Sequence, residues 1–310
     1  MTASRVWLIT LCCLANSLAP AQQPPPTVQG VKNMFDPWRA PVPPRHLISN
    51  IYYVGAIGVS SYLITSPEGH ILLDTGFEDT VPIIQKGVEQ LGFKLTDIKI
   101  ILSSHAHIDH VAGHAALKKL SGARIYASAE DAKTLESGGL DDFIPFPRET
   151  ILYPPAKVDR IVRDEERITL GATTLTAHLT PGHTRGATTW TMEVTDQGQT
   201  YRVVFFSSAS INAGTRLLST PGYPRIVEDF TSTFAKLKAI PCDIFLAPHG
   251  GQFAMADKFA RLETNPAVNP FIDRTGFQTV VEQAERAFTR QLAAEKAAAA
   301  ARGTGTPATP

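Results

Sequence analysis

Cysteine is scarce in this chain, with 3 in 310 residues, and two of them, Cys12 and Cys13, are adjacent in an N-terminal apolar stretch. That excludes a disulfide scaffold. Charge of one sign is lacking too, since 29 Lys and Arg balance 29 Asp and Glu. Without a bulk field to attract a phosphate backbone or an anionic bilayer, no nucleic acid and no membrane partner is expected, and a small molecule is. A long hydrophobic run is also missing: the apolar stretch from Val6 to Leu14 is about half of the roughly 20 residues a membrane-spanning helix requires. With Arg5 before it and Ala19-Pro20-Ala21 after it, that stretch reads as an export signal over 1–21. The expectation is a soluble periplasmic or secreted monomer in which Cys242 is the one remaining cysteine and forms no internal disulfide.

What is present is a globular composition, 43% hydrophobic and 19% charged, which excludes disordered and collagenous classes. Residues 22–49 are rich in Pro and Gln and predict an extended arm rather than a helix, with Trp38 as its anchor. Residues 50–301 form one domain and 302–310 a disordered tail. Within the domain, strand patterns run over Ile51 to Val54, Ser61 to Thr65 and His70 to Leu73, followed by a helix from Thr80 to Leu91. A strand over Ile98 to Leu102 leads into a loop to Gly113, then a helix from His114 to Lys119 and a strand from Arg124 to Ala127. The stretch from Ser137 to Asp159 predicts a long functional loop tipped by Phe143, Ile144 and Phe146. Strands then return over Ile168 to Leu170, Thr173 to Leu179, Ala187 to Val194, Arg202 to Phe206 and Ile244 to Leu246, with helices from Val227 to Leu237 and from about Phe277. This order, strands first and a crossover helix next, twice over, predicts an α/β chain of two β-sheets between helices.

Histidine carries the functional signal. His105-Ala106-His107-Ile108-Asp109-His110 directly follows a strand, and His183 and His249 each lie just beyond the end of another. Rigid sheets bring such loop residues together. In extended chain His105 and His107 project to one side, and a tight turn swings Asp109 and His110 to an adjacent point. No packing requirement calls for four imidazole or carboxylate groups in six residues. Three imidazoles leave a fourth position open on a tetrahedral metal, the mark of a catalytic site, and His105, His107 and His183 supply one such set. Asp109, His110 and His249 supply a second. Nitrogen and carboxylate ligands without thiolate suit Zn2+ best, with iron or manganese as poorer fits. His46, His70 and His178 read as ordinary core or surface residues, and His114 as a support residue or a helix N-terminal one.

The string from Ser104 to Gly113, with Thr180-Pro181-Gly182-His183 and the His249 segment, resembles the metallo-β-lactamase superfamily from about Asn50 to Thr289. The resemblance implies an αββα sandwich, two mixed β-sheets flanked by helices, with two metals along one edge. Glyoxalase II-like enzymes, lactonases and nucleases of that fold carry a metal-bridging Asp where this chain has Phe206-Ser207-Ser208-Ala209-Ser210. Serine there with His110 retained resembles subclass B3, as do Trp38-Arg39, Asn50 to Gly55, Ile211 to Gly214 and Asn269 to Asp273. Several members of that subclass link a Cys before the last histidine strand to a Cys near the final helix, and here Cys242 has Phe277 in the partner position. The resemblance implies zinc-dependent hydrolysis of the β-lactam amide of penicillins, cephalosporins and carbapenems, conferring antibiotic resistance. Asp109 would then orient the nucleophile, Ser208, Ser210 and Asn212 would bind the substrate carboxylate, and Phe143, Ile144 and Phe146 would wall the site. A thioester or lactone hydrolase and a non-enzymatic zinc protein are the rival readings; the first lacks its bridging Asp, and the second would not need all six ligands.

Overall fold

The structure, a computed structural model, describes residues 24–265 and 267–303; the signal segment 1–21 and most of the tail lie outside them. β1 (Arg45–Ile48), β2 (Ile51–Tyr53), β3 (Tyr62–Ser66), β4 (Gly69–Leu73), β5 (Ile98–Leu102), β6 (Arg124–Ser128) and β7 (Arg160–Val162) form a seven-stranded sheet in that order. Its first three pairings are antiparallel and its last three parallel. β8 (Arg167–Leu170), β9 (Thr173–Leu179), β10 (Thr188–Asp196), β11 (Gln199–Phe205) and β12 (Ile244–Leu246) form a five-stranded sheet in which β11 and β12 run parallel. The αββα sandwich of two mixed sheets is therefore present.

Side-chain period explains the layers. In β4 and β5, Ile71, Leu73, Ile100 and Leu102 join the core between the sheets, while Leu72 and Ile101 face the other way into a second core. Both strands are covered on both faces, which is why they read as continuous apolar runs. The second core is filled by α2 (Val81–Gln90), α4 (His114–Ser121) and α5 (Ala129–Glu136), through Ile84, Val88, Leu117 and Leu135. Across the five-stranded sheet, α6 (Ile226–Ala239) packs on the long α8 (Gly276–Gly303), with Phe234 and Phe288 rings 5.5 Å apart. Cys242 is a buried free thiol, and Phe277 is fully buried against Phe245, rings 5.7 Å apart.

Three features depart from the sequence reading. The arm is not wholly extended: Val28–Phe35 is helix α1, capped by Thr27, whose side chain accepts from the Gly30 N–H. Its prolines lie before the cap, at 24–26, and after the last turn, at Pro37, so none breaks it. Burial of Val31 and Phe35, one turn apart, pins it down. The loop from Ser103 to Gly113 contains a helical turn, α3 (Ile108–Val111), and the strands β1 and β7 and the helices α5 and α7 (Met255–Thr264) fall where the sequence reading placed no element.

Candidate metal centre

The candidate ligands stand beyond the C-terminal ends of three strands that open on the same edge of the sandwich. His105, His107, Asp109 and His110 follow β5; His183 lies between β9 and β10; His249 follows β12. Hydrogen bonds between the two sheets fix how these loops meet. The Ser104 carbonyl accepts from the Thr188 N–H at 2.8 Å and the Ser207 hydroxyl at 2.8 Å. Tyr62 donates its hydroxyl to the Ala247 carbonyl at 2.7 Å, and Trp190 donates its indole N–H to Ser103 at 2.9 Å. Asp74, at the end of β4 in left-handed backbone, accepts from both the N–H and the hydroxyl of Ser104, at 2.7 and 2.6 Å. Gly182, one residue before His183, has φ +139°, and a Cβ there would sit 2.6 Å from the Phe230 ring. Only glycine allows the chain that close.

The geometry separates the six side chains into two groups, His105, His107, His183 and Asp109, His110, His249, with the ligand atoms of each group within 4.8 Å of one another. The two groups adjoin, the His105 and His110 rings being 4.2 Å apart. α3 brings this about, because a helical turn after His107 lifts Asp109 and His110 off the line of the strand. Three of the imidazoles are held by neutral acceptors through one nitrogen, which leaves the other free. His183 Nδ1 donates to the Ser210 carbonyl at 2.8 Å, His249 Nδ1 to Gly58 at 3.0 Å, and His105 Nδ1 faces the Ser104 hydroxyl at 3.1 Å.

Burial and mutual repulsion keep most of the cluster neutral. Burial first, then the neighbouring imidazoles, drives His105 and His183 well below the ordinary histidine range. Burial pulls His107 and His249 down to about 4. His110 is the exception: burial lowers it, but the Asp109 and Asp74 carboxylates outweigh burial and raise it. Asp109 resists its own burial because His110 and the other imidazoles hold it well below the carboxylate range. A neutral imidazole and an ionised carboxylate are the forms that bind a metal. His110 Nε2 lies 3.0 Å from Asp109 Oδ2, while His105 Nε2, His107 Nε2 and His110 Nδ1 are buried without hydrogen-bond partners. Such orphaned polar atoms are costly unless something answers them. Donor chemistry, grouping and orphaned atoms all fit two divalent cations with nitrogen and carboxylate ligands.

A cavity of about 300 Å³ opens over the cluster. Ser208, Ser210, Asn212, Ile144 and Phe146 line it, as do His105, His107, Asp109, His183 and His249. His110 lies behind the others, fully buried. Phe143 does not line this cavity, contrary to expectation. The Asp142 side chain accepts from the Ile144 N–H and turns the backbone there, so Phe143 packs instead on Tyr223, rings 4.9 Å apart. The cavity also gains residues that were not expected in its lining, Met34 and Phe35 from α1, Trp38, and Asp142. Trp38, expected as an anchor, packs on His249 with rings 4.8 Å apart. Neither Phe35 nor Asp142 carries a local signal, since each reaches the site only through folding. Ser207, by contrast, is buried on the Ser104 carbonyl and takes no place in the cavity lining.

Similarity to known proteins agrees with this geometry. The chain is 40% identical to the FEZ-1 metallo-beta-lactamase from Legionella gormanii, with a TM-score of 0.81 over 83% of this chain and 98% of that one. It is 42% identical to BJP-1, a subclass B3 metallo-beta-lactamase of Bradyrhizobium japonicum, with a TM-score of 0.79 over 84% and 98%. Among curated relatives, a hydroxyacylglutathione hydrolase from Fuscovulum blasticum is 30% identical over 108 residues, 35% of this chain and 33% of its own length. A beta-lactamase-like protein 2 homolog from Drosophila melanogaster is 32% identical over 130 residues, 41% of this chain and 40% of its own length. The chain thus spans less than half the length of either curated relative. The superfamily model matches residues 54–249, a span that starts just after β2 and ends on His249. Strands β3 to β12, the edge the sheets share and the ligand loops that meet on it lie inside that match, and the chain belongs to the metallo-beta-lactamase superfamily.

Proposed function

We propose that this protein is a two-zinc β-lactamase of subclass B3 type, which opens the lactam amide of penicillins, cephalosporins and carbapenems after export from the cytoplasm. The wall of the cavity carries the reading: beside the candidate ligands it presents Ser208, Ser210 and Asn212, donors for an anionic group, and the end of β11 carries Ser207 and Ser208 where thioester and lactone hydrolases would carry a bridging Asp. Likeness to FEZ-1 and BJP-1 over nearly the whole of each supports the same substrate class. The partial likeness to a hydroxyacylglutathione hydrolase makes a thioester the alternative substrate to test.

His105, His107 and His183 would hold one zinc, and Asp109, His110 and His249 the other. Such a pair supplies Lewis-acid polarisation of a carbonyl and a nucleophile at neutral pH. The chain's own groups do the rest. Asp109 lines the cavity as a carboxylate and is placed to accept a hydrogen bond from the attacking water and orient it. Ser208, Ser210 and Asn212 bind the substrate carboxylate. Phe35, Trp38, Ile144 and Phe146 exclude water from the reacting amide. No acyl-enzyme forms, so inhibitors aimed at a serine nucleophile should not act.

Steady-state rates on a carbapenem, a penicillin, a cephalosporin and a glutathione thioester, before and after chelation, test the reading. Turnover of β-lactams that chelation abolishes and zinc restores is expected. A zinc-loaded enzyme that hydrolyses the thioester and leaves all three lactams intact would overturn it.

A further inference from the structure

Beside the candidate ligands the cavity holds a carboxylate that neither group uses. Asp142, in the loop after α5, lines the cavity with its side chain only 6% exposed. Its two oxygens face different donors: Oδ1 accepts from the Ile144 N–H at 2.9 Å, and Oδ2 lies 3.5 Å from Nε2 of His107. That nitrogen is buried and has no other partner. His105, His183 and His249 are each oriented by a neutral oxygen, and His110 Nδ1 lies 3.6 Å from Asp74 at the end of β4, so His107 is the imidazole that the carboxylate of the cavity loop faces. The loop holds Asp142 in place from behind: Arg148 donates to the carbonyls of Leu140, at 2.9 Å, and of Asp142, at 3.4 Å. Arg185, two residues past His183, ties Asp141 to Gly222 across the cavity mouth.

An imidazole that gives one nitrogen to a metal carries its proton on the other, and an acceptor facing that proton sets the tautomer and the ring plane. We propose that Asp142 is the positioning residue for His107: Oδ2 faces the Nε2–H and leaves Nδ1 for the metal, so the loop over the cavity is coupled to the His105, His107, His183 site. The inference rests on the two-metal reading above and not on the identity of the substrate.

Asp142→Asn tests it, because the two donors meet different carboxylate oxygens and asparagine puts an NH2 donor in place of one of them. The readout is the pair of zinc-binding constants of the metal-stripped full chain, taken by competition with a chromophoric chelator. One constant should weaken by about 10- to 100-fold and the other should stay; Asp142→Ala should weaken the same constant at least as far. Wild-type constants in both variants would overturn the proposal. A second measurement needs no variant: nitrogen-15 shifts of His107 in the zinc-loaded wild type should show Nε2 protonated and Nδ1 bound, and a metal-bound Nε2 would overturn it. A merely structural role for the loop would leave that tautomer unconstrained. Failure of the wild type itself to take up zinc would remove the metal reading, whereas wild-type zinc binding by both variants removes only this inference.

Discussion

His114 opens α4 with both ring nitrogens occupied by hydroxyls, Thr75 Oγ1 at 2.7 Å from Nδ1 and Ser103 Oγ at 2.8 Å from Nε2. Neither hydrogen bond reaches a candidate ligand directly, but Thr75 passes the contact on, since its backbone N–H donates to the His110 carbonyl at 2.8 Å. The support role expected for it is thus exerted through the ends of β4 and β5. Burial pushes its pKa down to about 3. The folded protein therefore leaves His114 neutral below pH 6.5, where the unfolded chain binds a proton, and stability falls as the pH drops from about 6.5 toward 3, by about 1.4 kcal/mol per pH unit for one such group. Denaturant unfolding of the metal-free protein between pH 7 and 5 should show His114→Gln with a slope shallower than wild type by about one proton. Equal slopes would show that burial does not hold this imidazole neutral.

Ser208 is nearly buried, with its hydroxyl 3.1 Å from that of Ser210, at the cavity wall and outside both ligand groups. Removing it should cost one neutral donor toward the substrate carboxylate, about 0.5–1.5 kcal/mol. Ser208→Ala should therefore raise KM for β-lactams by up to about tenfold and leave two zinc ions bound. Zinc analysis and KM on one preparation check this; loss of metal would place Ser208 at the metal instead.

At the scale of elements, the cavity mouth is made of two loops that no regular hydrogen-bond ladder connects. Arg185 joins them, with Nη2 on the Asp141 carboxylate at 2.5 Å and Nη1 on the Gly222 carbonyl at 3.1 Å, and the Phe143–Tyr223 pair packs beside it. From the rear, α8 holds the 207–225 loop: Glu295 accepts from the N–H groups of Leu217 and Leu218 at 2.9 and 2.8 Å, and Gln291 donates to the Thr215 carbonyl at 2.8 Å. A lysine could reach one of the two Arg185 partners but not both. Arg185→Lys should raise KM roughly threefold to tenfold while kcat stays within about twofold, since about 1 kcal/mol of loop ordering is shifted onto substrate binding. A kinetic series on one cephalosporin separates the two constants, and an unchanged KM would mean that the loops hold their shape without the bridge.

Across the whole molecule, each candidate metal would take two ligands from the loop after β5 in one sheet and a third from the other sheet, His183 after β9 or His249 after β12. Metal binding would therefore clamp the two layers of the sandwich. A ligand that binds only the folded state adds about 2.7 kcal/mol at a free concentration 100 times its dissociation constant. For a chain of this size each kcal/mol moves Tm by about 2–4 °C. Calorimetry should show a Tm lower by at least about 5 °C after chelation, restored by zinc. An unchanged Tm would mean that the imidazole cluster is stable without an ion.

The sequence by itself determined the paired strands other than β1 and β7, the helical face of α4 and the identity of the six candidate ligands, because each rests on a local period or on chemistry concentrated within a few residues. His105 to His110 is legible for that reason, and so is the assignment of β4 and β5, whose unbroken apolar runs require cover on both faces. The tertiary structure alone decided what surrounds the ligands. A composition rich in Pro and Gln hid α1, since the prolines stand at its ends and the burial of Val31 and Phe35 against Ala56, Val59 and Phe77, in the loops after β2 and β4, stabilises it. Phe143 left the cavity because a side-chain cap on its neighbour's backbone outweighed a pattern of apolar residues. Asp142 meets His107 across 35 positions of chain, a contact that no period in the sequence encodes, since it depends on where two loops end after the sheets have closed.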